Sequence, residues 1–385
     1  METLKSIFGI VWGIIQDVCV LYSFGTIVWL ILPSYWHEKI KGKIRRFFRH
    51  VKLIDDSSYI KEHLLDSIDL IDGNFYDYGI KFNLDKTSAR VPDDFKKIGK
   101  RLKKENDIRL KKGEKPVYTD LYPYAVHELI TRREQIEPSG IERPVCHVLI
   151  RESSYFYSLI SIKAMDEMVG EMTVREKYYK ELMDHPSNAS PSGYDIVHAF
   201  GMNTLVLTKD GSFVFSKRNP NTVSTGQGCL HLSVGEHLNK DLLDISDKGI
   251  PDAVQVMVRG IDEELGIERS KIDTSKIRFY GVAFSKRVCQ YGVLGFTHLS
   301  NCTDNDIRQY WETSKDGHYE NEELVFIKAD IDSIVKFINN HKTVTMTKFA
   351  LLNVCLALMN ESILGEIKQE RIEKELKKLR IDALL

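Results

Sequence analysis

Three residues have the types and spacing best suited to chemistry: Arg259, Glu263 and Glu264. Adjacent carboxylates beside a Gly-rich loop can hold a hard divalent cation, which in turn binds phosphate oxygens. Such a loop stands upstream, Thr225 to Gly235 (TGQGCLHLSVG). A Glu-Glu pair alone is usually a solvated helix face, so the chemistry depends on what positions the pair.

The positioning elements are legible. Asn203–Thr208 (NTLVLT) and Ser212–Ser216 (SFVFS) flank Lys209-Asp210-Gly211, and Asp-Gly between β-branched and aromatic runs signals a hairpin. A helix start follows at Gly249-Ile250-Pro251-Asp252. Val254, Val258, Ile261 and Leu265 then recur at helical spacing, with Gly266 as the stop. One side of this helix is expected to be buried. On the other, Glu263 and Glu264 bracket an arc centred on Gly260, with Arg259 one turn before Glu263.

The run Arg259-Gly260-Ile261-Asp262-Glu263-Glu264-Leu265-Gly266-Ile267 resembles the second half of the Nudix box, G-x5-E-x7-R-E-U-x-E-E-x-G-U with U aliphatic. Arg259, Ile261, Glu263, Glu264, Gly266 and Ile267 match it, and Ser233-Val234-Gly235-Glu236 looks like the family's Gly-rich approach. The resemblance covers roughly residues 196–335, a single-domain length. It implies an α/β/α sandwich that binds nucleoside phosphates through a divalent metal. Glu263 and Glu264 would then be the metal ligands, with Mg2+ the implied ion. Arg259, Gly235, Glu236, Lys217 and Arg218 would stand at the ligand, with Lys286-Arg287 as a further basic pair.

The departures shape the expectation. Gly260 stands where the family has the Glu that serves as base or third metal-site carboxylate, and Pro251 where the earlier Glu belongs. The loop between Gly235 and the helix is longer than the box allows. Losing a carboxylate weakens metal retention and removes the group that would activate water. Compensation is open to Glu320, Glu322 or Glu323 downstream. The domain is expected to bind a phosphate ligand and hydrolyse it poorly or not at all.

The whole chain has 385 residues, 43% of them hydrophobic, which excludes disorder, collagen-like repeats and a disulfide-stapled mini-protein. Its 54 Lys+Arg nearly balance 55 Asp+Glu, so a broadly nucleic-acid-coating surface is excluded while a local phosphate pocket is not. The six cysteines are scattered without C-x-x-C or zinc spacing, as small buried hydrophobes of a reducing compartment are.

Residues 1–52 hold 8 basic and 3 acidic side chains, and the excess lies beside the one long apolar run. Ile7 to Trp36 contains a single charge, Asp17. From Val18 through Trp29 to Trp36 the chain is uncharged, about 28 Å as a helix against a hydrocarbon core of about 30 Å. Seven basic residues follow, from Lys39 to Lys52, where only Lys5 precedes the run. The positive-inside rule then puts the bulk of the protein in the cytoplasm, behind a single-pass inner-membrane anchor over residues 1–36. A cleaved signal peptide fits less well, because the apolar stretch continues past Ser23-Phe24-Gly25 into a basic stop-transfer pattern. Asp17 is either solvated at the outer interface or a contact between helices inside lipid.

Residues 37–195 read as a basic juxtamembrane segment and a charged, partly helical middle region. Lys96 to Lys115 carries ten basic and three acidic residues. It is either a solvated helical face or linker, or a contact for anionic lipid or polyphosphate. His185–Tyr194 (HPSNASPSGY) reads as a boundary loop. In residues 336–385, Leu351, Leu352, Val354, Leu356 and Leu358 read as core. A last helix from about Gly365 packs on the body or forms an oligomer seam.

The fold class expected is α+β: a Nudix-type sandwich behind one transmembrane helix and the charged middle region. This architecture is similar to the transmembrane-Nudix effectors of CBASS antiphage systems. That resemblance implies a cytosolic domain sensing a cyclic nucleotide made by a partner CD-NTase, followed by homo-oligomerisation and disruption of membrane lipid. The alternative is a membrane-anchored Nudix hydrolase of nucleoside diphosphate derivatives.

Overall fold

The Asp-Gly signal does make a hairpin. Strand Phe200–Thr208 turns at Gly211, whose φ of 75° is open to glycine at no steric cost, into Ser212–Arg218. The computed structural model describes residues 68–71, 79–113, 124–135, 142–220, 226–240, 244–246, 249–286, 288–344, 346–347, 350–351 and 354. The expected membrane segment with Val18, Trp29 and Trp36, and the expected last helix, lie outside these residues. Among those described, no helix is long and apolar enough to cross a membrane.

The mixed α+β class holds. Strand β1 (Ile68–Ile71) belongs to a large sheet, whereas β2 (Gly79–Ser88), β3 (Tyr124–Gln135) and β4 (Glu142–Glu152) form a smaller one in the order β2-β4-β3. β2 runs parallel to β4 and β3 antiparallel to it. The middle region is therefore built on a sheet as well as on its helix, α1 (Asp93–Lys111). α1 covers the basic run as far as Lys111. Phe95, Ile98 and Leu102 are buried at i, i+3 and i+7, while Asp93 and Asp94 at its start and Arg109 and Lys111 at its end oppose the helix dipole favourably. A two-residue ladder, β5 (Met168–Val169) with β6 (Met172–Thr173), leads on to the boundary stretch. That stretch is tied into the fold: Ala189 and Pro191 are buried, and the Pro186 carbonyl accepts from the Tyr291 hydroxyl at 2.7 Å.

The larger sheet has β7 (Phe200–Thr208), β8 (Ser212–Arg218), β9 (Leu230–Leu232), β10 (Val234–His237), β11 (Arg278–Ser285), β12 (Gln290–Leu299) and β13 (Asn321–Lys328). Its order is β1-β11-β12-β7-β8-β13, with β10 pairing β7 and β9 pairing β8. β12 and β7 are parallel, and the other pairs are antiparallel. Strand alternation divides the apolar residues between two cores. Val206, Val214, Val234 and Val293 join one core with helix α2 (Ala253–Leu265). Leu205, Leu207, Phe213 and Phe215 join the other. After α3 (Asp304–Trp311), helix α4 (Ile331–Asn340) covers that second face, its Phe337 ring 4.4 Å from Phe215. Leu351 and Val354 are buried in the same core.

α2 begins and ends where the sequence indicates. The Asp252 carboxylate caps the N–H groups of Val254 and Gln255, and Gly266 closes the helix at φ 71°. A side chain at 266 would lie 2.2 Å from the Tyr310 carbonyl. The burial differs from expectation. Val256, Met257, Val258, Arg259, Gly260, Ile261, Glu264 and Leu265 are all buried, so the polar arc lies under other elements rather than facing water.

Candidate functional site

Arg259, only 3% exposed, is the hub of the site. Its Nε donates to Asp244 Oδ1 at 2.8 Å and its Nη2 to Asp244 Oδ2 at 3.1 Å. Nη1 donates to Glu236 at 2.9 Å and to Glu263 at 3.0 Å, and Nη2 also to the His237 carbonyl at 3.2 Å. A guanidinium has five N–H donors, and all of them are committed. Arg259 therefore holds acids in place and has no donor left for a phosphate. Burial works against its charge, but Glu236 and Asp244 outweigh that and make it harder to deprotonate.

Gly260 is closely covered. A Cβ there would lie 2.5 Å from Glu236 Cγ and 2.5 Å from Val234 Cγ1. Strand β10 thus fills the space that a helix-borne side chain would need. The carboxylate nearest that space is Glu236, which arrives from β10 and is held by Arg259.

Glu264 points beneath β10, where its Oε1 accepts from the Gly235 N–H at 2.9 Å. Gly235 has to lack a side chain, since a Cβ would meet His231 Cε1 at 2.5 Å and the Arg218 guanidinium at 3.3 Å. Glu263 is shared between Arg259 and Lys315. The short helix Gly317–Glu320 is tied in by the Asp316 N–H on the Glu263 carbonyl, and the Asn219 N–H on the Glu320 carbonyl brings the end of β8 beside it.

The acids here push one another up. Burial, then Glu320 and Glu263, raise the Glu236 carboxyl to about 7 against the pull of Arg259. Glu264 is raised well above the usual carboxylate range by burial, Glu320 and Glu236, with the Gly235 N–H and Arg218 opposing. Glu320 is raised by burial and by Asp316 and Glu263. His231 is held neutral by burial and by nearby Arg218. The cluster is short of positive charge.

Of the residues singled out from sequence, Arg259, Glu236, Gly235, Glu263, Glu264 and Arg218 come together. Lys217 sits one residue earlier on β8 and pairs with Glu322 at 3.2 Å, which takes Glu322 out of the cluster. Glu323 is exposed on β13, so Glu320 is the downstream acid that approaches. Lys286 lies at the β11–β12 turn, with β7 and β12 between that hairpin's outer strand and β8; Arg287 is outside the described residues. Asp244 was missed, because a lone loop aspartate carries no local signal of its arginine partner.

The donor chemistry does not fit the Mg2+ that the resemblance implies. Glu263 is engaged by Arg259 and Lys315, and Glu264 by a backbone N–H. Among the described residues no group of three His, Cys, Asp or Glu is placed to hold a metal ion.

No family model matches the chain. No curated protein matches it either. Among solved structures it is similar to the crystal structure of DR0079 from Deinococcus radiodurans, at 12% identity over 40% of this chain and 81% of that one. The TM-score is 0.27, and a likeness of that size carries no argument about fold or function.

Proposed function

We propose that the chain is a membrane-anchored effector of the CBASS type, whose Nudix-like region, residues 196–335, binds a cyclic nucleotide without consuming it. The observation that carries this reading is the filled space at Gly260. A Cβ there would clash, so α2 offers a water molecule no base at that position, and the Glu236 carboxylate that occupies the space is bound to Arg259. In this reading Arg218, which reaches Gly235 at the edge of the cluster, is the cation that would meet the ligand's phosphates, since the carboxyls beside it repel them. The apolar run over residues 1–36 supplies the anchor in this reading. Ligand binding then has to favour an assembled membrane state over the resting one, since equal affinity for both would shift nothing.

One observation favours a second reading, a membrane-anchored hydrolase. Burial and the acids around it push the Glu236 carboxyl up to about 7, where a general base is most useful. Incubating the full chain with cyclic oligonucleotides and nucleoside diphosphate derivatives, with and without Mg2+ or Mn2+, separates the two. Calorimetric binding of a cyclic nucleotide that chromatography recovers intact is the expected result. Turnover abolished by Glu264→Gln would establish the hydrolase instead.

A further inference from the structure

We propose that the outward face of α1 docks on an anionic lipid bilayer. The helix buries Phe95, Ile98, Leu102 and Asn106 on one side. At 100° per residue, Lys97, Lys100, Lys104 and Lys111 fall on the opposite side at i, i+3, i+7 and i+14. All four are exposed and make no ion pair among the described residues. The acids of the helix are used or set aside: Asp93 pairs with Lys96, Asp94 with Lys177, and Glu105 with Arg101, while Asp107 lies at the margin of the stripe.

Asp93, paired with Lys96, lies within this stripe, and Ile108, which is 44% exposed, borders it beside Lys97. An aliphatic group bordering lysines suits the boundary between headgroups and acyl chains, where the ammonium groups meet lipid phosphates and the apolar group leaves water. A nucleic acid strand would instead call for aromatic stacking platforms, and this face carries none. The inference goes beyond the ligand-binding reading. It takes from that reading only the anchor that puts a bilayer within reach.

The test uses the full chain with an environment-sensitive fluorescent amino acid at Ile108, reconstituted with vesicles of phosphatidylcholine alone or rich in phosphatidylglycerol. Anionic vesicles are expected to shift the emission to the blue, and neutral ones to leave it unchanged. Replacing Lys97, Lys100, Lys104 and Lys111 with Gln should abolish the shift, each lysine weakening docking about fivefold, while Arg at the four positions should retain it. Unchanged circular dichroism will show that the exposed substitutions leave the fold intact. No shift with anionic vesicles, an equal shift in the Gln variant, or a shift given only by single-stranded RNA would overturn the proposal. Co-flotation with neutral vesicles reports the N-terminal anchor separately, so a failed anchor and a failed docking face are distinguishable.

Discussion

Two buried arginines organise two charge networks, and their acids behave in opposite ways. Arg151, on β4, donates to Asp85 at 2.9 Å and to Asp195 at 3.2 Å. The Thr87 N–H, with Arg151 next, draws the Asp85 carboxyl down to about 2. Burial works to raise Asp195, but the Arg90 N–H, His127, Ser190 and Arg151 together outweigh it and lower it. Around Arg259 the carboxyls of Glu236, Glu264 and Glu320 are raised, because burial and the acids about them outweigh Arg259, already committed to Asp244, and Arg218. The balanced network is a structural tie between β4 and the stretch before β7. The unbalanced one holds an unmet demand for positive charge, which makes it the candidate site.

Removing each arginine gives the largest contrast. Arg259→Met should cost about 3–5 kcal/mol in denaturant unfolding, because it strands buried Asp244 and its neighbours. Arg151→Met should cost less, since Asp85 can rehydrate and Asp195 keeps its other three donors. Equal losses would erase the distinction between a hub and a tie.

Gly260→Ala comes next. Its contacts with Glu236 and Val234 should cost about 1–3 kcal/mol, which exceeds the roughly 1 kcal/mol that alanine gains over glycine in a helix. Adding Glu236→Ala should recover part of the loss, because it removes one of the two obstacles. A stabilised Gly260→Ala protein would show that β10 does not fill that space.

Carboxylate-to-amide changes should differ in sign. Asp195→Asn is expected to cost about 1–3 kcal/mol by weakening charge-assisted bonds, whereas Glu264→Gln should hold or raise the melting temperature at neutral pH. The pH profile follows. Glu236 moves from 4.5 unfolded to about 7 folded, so the folded state binds the extra proton between those values. Its contribution to stability is greatest below the lower value and declines as pH rises through the higher one. Asp85, moved from 3.8 to about 2, contributes above the former and is lost as pH falls through the latter. A melting curve across pH should therefore fall by a few degrees from pH 5 to 7, a slope that Glu236→Gln flattens.

How much of this is legible in the sequence depends on the range of each interaction. The β7–β8 hairpin and the limits of α2 follow from Asp210-Gly211, Asp252 and Gly266, since turn and cap chemistry is local. The grouping of Arg259, Glu263 and Glu264 is equally local. The replacement of a side chain at Gly260 by Glu236 is not, because it depends on how closely β10 crosses the helix. The smaller sheet was hidden for the same reason: β2 and β4 pair in parallel across a long separation, and neither Gly79–Ser88 nor Glu142–Glu152 alternates cleanly enough to announce the pairing. Nor does the sequence show that the polar arc of α2 is covered, since the helix Gly317–Glu320 and β10 arrive from either side.

Carbon-13 titration of glutamate carboxyls in the folded protein, assigned by single Glu→Gln variants, tests most directly whether the Arg259 cluster is starved of positive charge. Glu236 is expected to titrate near 7, with Glu264 and Glu320 also above the usual carboxylate range. Ordinary values for all three would contradict the account and leave Arg259 as a second structural tie, no different in kind from Arg151.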